Sequence, residues 1–259
     1  MNNDRIESSA RQSYVFKTYL NGDDIKITSK DGAVILTGSV SDEAHKSLAE
    51  ETVASLPGVT SVDNNLEIKG EVPAVHSNAW IITKVKATLL FNRNVRAMKT
   101  EVFVEDGTVT LRGEATSNAQ KDLTTEYVKD VEGVRDVINE MTLLIDVMKP
   151  DEKTMDEKID TIIESIDDSS ITAMVKMTLM YHRSTSALNT TVKTKEGVVT
   201  LGGNIKNDAE KSLATQIVSD VHGVKNVINN MTNAQDQLRL GFRHTLESEG
   251  LESEGQEKN

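Results

Sequence analysis

The residues best able to do chemistry in this chain are its five histidines, and their spacing argues against chemistry. His45, His76, His182, His222 and His244 lie far apart. No two sit at the short helical spacing that sets imidazoles side by side around a metal. The chain has no cysteine, which excludes disulfides, thiolate metal sites and thiol nucleophiles. It has no phosphate loop, no dinucleotide-binding fingerprint and no nucleophile elbow. The reading is a non-enzymatic protein with no catalytic residue, metal or cofactor, whose histidines are ordinary surface or partly buried side chains.

Charge says more than the histidines do. Lys and Arg number 29 against 41 Asp and Glu, a net charge of −12. That balance excludes general nucleic-acid binding, which needs an excess of bases to neutralise phosphates. Yet residues 72–100 contain no acid while holding Lys84, Lys86, Arg93, Arg96 and Lys99. Residues 169–195 repeat the pattern with Lys176, Arg183, Lys193 and Lys195. The only tryptophan, Trp80, opens the first of these stretches beside Ile81 and Ile82.

A tryptophan with adjacent aliphatics and nearby bases has the composition of an interfacial anchor for anionic lipid. The candidate lipid-binding set is therefore Trp80, Ile82, Lys84, Lys86, Arg93 and Arg96, joined by Lys176 and Arg183. The plainer account has Ile81, Val85 and Leu89 lining a core while the lysines snorkel. The broad apolar front of Ile171, Met174, Val175, Met177, Leu179 and Met180 fits a contact with another domain or protein. Packing against an amphipathic helix over 155–166 is the simpler account of it. No stretch reaches the apolar length of a membrane span, and the opening residues lack the pattern of a signal peptide.

These residues sit on a unit written three times. "DGAVILTGSVSDEAHKSLAEETVASLPGV" (31–59), "DGTVTLRGEATSNAQKDLTTEYVKDVEGV" (106–134) and "EGVVTLGGNIKNDAEKSLATQIVSDVHGV" (196–224) align on Gly38, Gly113 and Gly203 and on Gly58, Gly133 and Gly223. Asn64, Asn139 and Asn229 recur beyond that frame. Self-similarity of this length within one chain means a repeated fold. Asp31-Gly32, Asp106-Gly107 and Glu196-Gly197 lie between alternating strands as tight hairpin turns do. Asp42, Ser117 and Asn207 read as N-caps of a following helix, with Gln120 and Glu210 completing a capping box. Gly58, Gly133 and Gly223 read as the glycines that end those helices.

An upstream helix precedes each hairpin, and the match of "KATLLFNR" to "KMTLMYHR" sets the second and third copies 90 residues apart. The fold class is α+β: three tandem α-β-β-α-β domains, each with helices on one face of a three-stranded mixed sheet. The expected boundaries are 7–70, a linker over 71–76, 77–147, an acidic amphipathic connecting helix over 148–168, 169–234, and a disordered acidic tail over 235–259. With only 3% aromatic residues, the cores are aliphatic and modest. The triplicated asparagines read as fold requirements that satisfy backbone groups at a strand irregularity. Lys46, Lys121 and Lys211 read as solvated.

The α-β-β-α-β order, the "G-x-V-x-L-x-G" strand and the "G-V-x-x-V-x-N" ending resemble the BON domain of bacterial osmotically inducible and nodulation proteins. The resemblance implies a periplasmic location after removal of an export signal; a cytoplasmic location is the alternative. It also implies an osmotic- or envelope-stress protein whose partners are anionic phospholipid head groups. The alternative is a protein-binding, chaperone-like module acting on envelope proteins.

Overall fold

The computed structural model describes residues 2–95, 97–144, 166–185 and 189–233. Arg96, His244, the expected connecting helix up to residue 165 and the tail over 235–259 lie outside the described residues. The first copy holds α1 (Asn2–Gln12), α2 (Tyr14–Thr18), β1 (Asp24–Lys30), β2 (Ala33–Val40), α3 (Glu43–Ala54) and β3 (Ser61–Ile68). The second holds α4 (Asn78–Phe91), a 3-10 turn, β4 (Thr100–Glu105), β5 (Thr108–Ala115), α5 (Asn118–Lys129), β6 (Asp136–Asn139) and β7 (Thr142–Leu143). The third holds α6 (Asp168–Tyr181), β8 (Asn189–Lys195), β9 (Val198–Asn204), α7 (Asp208–Ser219) and β10 (Asn226–Asn229).

Each sheet is mixed, as the sequence predicts. The second strand is central, antiparallel to the first and parallel to the third. The hairpin turns have two residues, both at positive φ: Asp31 at 52° and Gly32 at 86°, with the other two copies alike. That is the primed turn whose twist matches the strands it joins.

The N-caps form as read, Asp42, Ser117 and Asn207 each accepting the amide of the third residue on. The capping box differs. Gln120 and Glu210 reach back one residue further, to the amides of Thr116 and Lys206. The late glycines also differ from expectation. The second helices end at Ala54, Lys129 and Ser219, and Gly58, Gly133 and Gly223 lie in a separate turn closed by the bonds Val59 N–H to Leu56, Val134 to Val131 and Val224 to Val221. Their φ of 82–88° is left-handed all the same, so glycine is required there for the turn and not for the helix cap.

Asn139 ties the second helix to the third strand. Its Nδ2 donates to the Lys121 carbonyl at 2.9 Å and to Thr125 Oγ1 at 2.8 Å, and its Oδ1 accepts the Met141 amide at 3.0 Å. Asn229 repeats all three bonds on Lys211, Thr215 and Met231, and Asn64 repeats the pattern on Lys46, Glu50 and Leu66. The same fold-back on the residue two ahead falls between β6 and β7 in the second copy and inside the continuous β3 in the first. Lys121 and Lys211 are not simply solvated: their ammonium groups donate to the carbonyls of Met141 and Met231 at 2.7 and 2.9 Å.

The copies do not sit as beads. The core of the first is continuous with that of the third, one cluster running from Ile6 to Met231 that also takes in Ala87 and Phe91 of α4, while the rest of the second copy's core forms its own cluster. α6 is buried along nearly its whole length, Met174 and Met177 completely, and it packs on α3 and α4. Met174 and Met177 thus serve a contact between domains, while Met180 stays 44% exposed. The first helix of copy one breaks at Ser13, whose backbone is extended. The amides freed at the break bond to copy three: Tyr14 N–H to Asp167 at 2.7 Å and Val15 N–H to Ser170 Oγ at 3.0 Å.

Candidate functional site

Two regions gather the polar residues that the fold leaves over: a seam between the second and third copies, and a corner around Trp80. The seam is built twice. Arg93, just past α4, donates its backbone amide to the Asp220 carbonyl at 2.9 Å, and its Nη2 donates to the carbonyls of Val221 and Val224. Ninety residues on, Arg183 donates its amide to the Asp130 carbonyl at 2.6 Å, and its Nη2 donates to the carbonyls of Lys129, Val131 and Val134. Antiparallel bridges Asn92–Val221 and Val131–His182 complete each half. Equivalent residues exchange equivalent contacts, so the seam has approximate two-fold symmetry. Each guanidinium caps the carbonyl end of the other domain's second helix, where a cation is favoured.

Titratable groups fill the seam. The Asp130 carboxylate accepts His182 Nδ1–H at 3.1 Å and the Ser184 hydroxyl at 2.5 Å. Burial alone would raise its pKa, but those hydrogen bonds outweigh it and hold the carboxyl below its usual range. Tyr127 donates to Asp220, and burial, with that bond, pushes its phenol above the ordinary range. Burial, with the Arg93 cation beside it, pushes His222 down to about 4.

A histidine that is neutral in the fold but takes up a proton in the unfolded chain costs stability as pH falls. The cost begins near the ordinary histidine value of 6.5 and is complete near 4; above 6.5 it vanishes. Asp130 adds a loss in the same direction at lower pH. Urea unfolding should therefore show a stability lower by on the order of 2 kcal/mol at pH 4 than at pH 7, after allowing for screening. His222→Gln should flatten most of that slope, and an unchanged slope would mean that the seam is not the acid-sensitive element.

At the other region, Trp80 is half-buried against the core of its domain. Its ring meets Gly133 closely enough that a Cβ there would lie 3.1 Å from Cζ3. His76 stacks edge-on to it at 4.9 Å, and the Lys84 ammonium lies 3.8 Å above its centre. Lys84 also bonds Glu132 at 2.7 Å, which holds the Glu132 carboxyl below its usual range. The linker before α4 holds Val72 and Val75 at 65% and 68% exposure.

The structure distributes the eight residues of the expected lipid-binding set. Trp80, Ile82 and Lys84 share the amino-terminal half of α4. Lys86 is exposed, beside a cleft of about 310 Å³ between the first and second domains. Arg93 and Arg183 are engaged in the seam, Lys176 pairs with Glu51 of the first domain at 2.6 Å, and Arg96 lies outside the described residues. Sequence reasoning did not single out Asp130, Asp220 and Tyr127, nor Val72 and Val75. Asp130 and Asp220 match between the second and third copies, where the first copy has Ser55; that selective identity was the available signal for a seam joining two copies of three. No cluster of metal-ligating side chains occurs among the described residues.

The BON-domain model matches residues 2–70, 77–144 and 167–235. The chain belongs to the BON-domain family. Osmotically-inducible protein Y of Escherichia coli strain K12 is 27% identical over 208 residues, covering 80% of this BON protein and 96% of that relative. A 21 kDa hemolysin of Actinobacillus pleuropneumoniae is 33% identical over 116 residues, 44% of this chain and 59% of its own length. Outer membrane lipoprotein DolP of Haemophilus influenzae is 27% identical over 116 residues, 44% of this chain and 60% of its own. The chain thus spans about three fifths of the length of two of these relatives and nearly all of the third. No described helix of this triple-BON chain is long and apolar enough to cross a membrane.

Proposed function

We propose that this triple-BON protein is a non-enzymatic, stress-related protein of the cell envelope that attaches to anionic phospholipid through the amino-terminal end of α4. The observation that carries the reading is half-buried Trp80 in the first turn of α4, with Val72 and Val75 exposed in the linker that leads into it. α6 is enclosed by α3 and α4, and α2 is tied to copy three, whereas the first turn of α4 keeps Asn78 and Ala79 exposed. A tryptophan with aliphatic neighbours inserts at the boundary between head groups and acyl chains, and exposed Arg135, which lines a pocket with His76, Ile81 and Gly133, supplies positive charge close by. The names of the relatives, one osmotically inducible and one an outer membrane lipoprotein, support the envelope and stress parts of the reading.

Because Trp80 is the only tryptophan, its emission reports on the corner directly. Titration with anionic vesicles should shift the emission to the blue at low salt and reverse at high salt, while zwitterionic vesicles should have little effect. Trp80→Phe should keep the fold and weaken co-sedimentation several-fold. An unchanged spectrum without co-sedimentation would sink the lipid reading and leave envelope proteins as the partners to seek.

A further inference from the structure

The open sheet faces of the second and third domains occupy equivalent positions and carry opposite charge. On the second domain the outward residues of the edge strands are Glu101, Phe103 and Glu105 on β4 and Asp136 and Ile138 on β6, with Glu140 following. Phe103, Thr110 and Ile138 form one row across the sheet, with Phe103 and Ile138 each 47% exposed. Four acids surround the row against one base, Arg112, which pairs with Glu140 at 2.7 Å and lies 5.1 Å over the Phe103 ring. On the third domain the same row reads Lys193, Thr200 and Ile228. Its outward neighbours are Thr191, Lys195, Asn226 and Asn230, so the face carries two bases, Lys193 and Lys195, and no acid. Ile228 is 45% exposed at its centre.

We propose that the acidic open face of the second domain stacks on the basic open face of the third domain of a second copy of this chain. Like faces cannot pair, since that would set acids against acids or lysines against lysines. Within one chain the seam joins the two domains from the helix side, and both open faces remain exposed. Two small sheets packed face to face cover about 15 by 15 Å. One such contact falls short of the roughly 1,000 Å² that a stable interface buries. The contact is therefore weak and concentration-dependent, the acidic face of one copy meeting the basic face of the next. Phe103 and Ile138 meet Ile228 at the centre, and Glu101 and Glu105 face Lys193 and Lys195 at the rim.

Sedimentation velocity on the full chain tests this independently of lipid. Mass should rise above that of the monomer with concentration, and the dissociation constant should increase about tenfold between about 50 and about 500 mM salt. The variants Glu101→Lys/Glu105→Lys and Lys193→Glu/Lys195→Glu should each stay monomeric alone. Mixed in equal amounts they should associate, because one then offers basic faces and the other acidic ones. These side chains are exposed, and melting curves check that the variants fold; Lys193→Gln/Lys195→Gln provides a milder reading of the same loss. A wild-type chain that stays monomeric at about millimolar concentration, or association that survives both reversals, overturns the proposal.

Discussion

Gly113→Ala should unfold the second domain. A Cβ at that position would lie 1.9 Å from the Lys99 carbonyl oxygen, and the residue's φ of +126° is one that side-chain-bearing residues rarely adopt. The obstacle is backbone, so no rotamer change relieves it. Moving it means parting β4 from β5 where Thr100 faces Gly113. The expected loss is about 4 kcal/mol or more, at the extreme of single substitutions. Urea unfolding followed by Trp80 emission measures it, since the tryptophan belongs to the same domain. Gly22→Ala is the control: nothing lies within 4 Å of its added Cβ, and its effect should stay within about 0.5 kcal/mol. A Gly113→Ala midpoint close to wild type would show that the hairpin can shift register, and the glycine would lose its place as a fold determinant. Gly38 meets the Asp24 carbonyl at the same 1.9 Å, so the first domain offers an independent repeat.

The seam should be what makes the second and third domains unfold together. Arg93→Ala and Arg183→Ala each remove a guanidinium that bonds carbonyls of the opposite domain. Charged hydrogen bonds contribute about 1.5–3 kcal/mol when buried. Both arginines keep exposed surface, so about 1–2 kcal/mol each is the better figure. The double variant should lose about 3 kcal/mol of docking. In wild type, Trp80 emission and far-ultraviolet circular dichroism should give one transition; in the double variant the two probes should separate. Coincident curves in that variant would assign the coupling to the apolar contact of α4 with α6 alone.

The division between what was legible and what was not follows the range of the interaction. The hairpin turns at Asp31, Asp106 and Glu196, the caps at Asp42, Ser117 and Asn207, and the mixed sheets depend on a few neighbouring residues and on a repeat that exposes its own register. The asparagines were legible as backbone ligands because a polar residue recurring at a strand end in three copies has that simple use. The late glycines were placed on the right backbone conformation but in the wrong element, since a left-handed residue ends a helix or closes a turn equally well. The site was harder. Arg93 and Arg183 show in sequence only that they are basic; their partners at Asp130 to Val134 and Asp220 to Val224 are dozens of positions away and are mostly carbonyls, which carry no side-chain signature. Trp80 was visible as an oddity, but the Lys84 ammonium over its ring and the exposure of the valines in the preceding linker became visible only with the fold.

The bond between Tyr14 and Asp167 spans 153 positions, and it sets a timetable. A growing chain completes the residues of the first copy long before α6 has been made, so the break at Ser13 waits with its amides unfilled and the α6-facing side of α3 uncovered. The second copy can form most of its core by itself and waits only for the α6 contact at Ala87 and Phe91 and for the seam. The first copy to be synthesised is therefore not the first to build its core, and its closing step must gather ends of the chain that are far apart, which is slow. Any cut or stop before residue 166 leaves behind one unit with most of its core and one that cannot close.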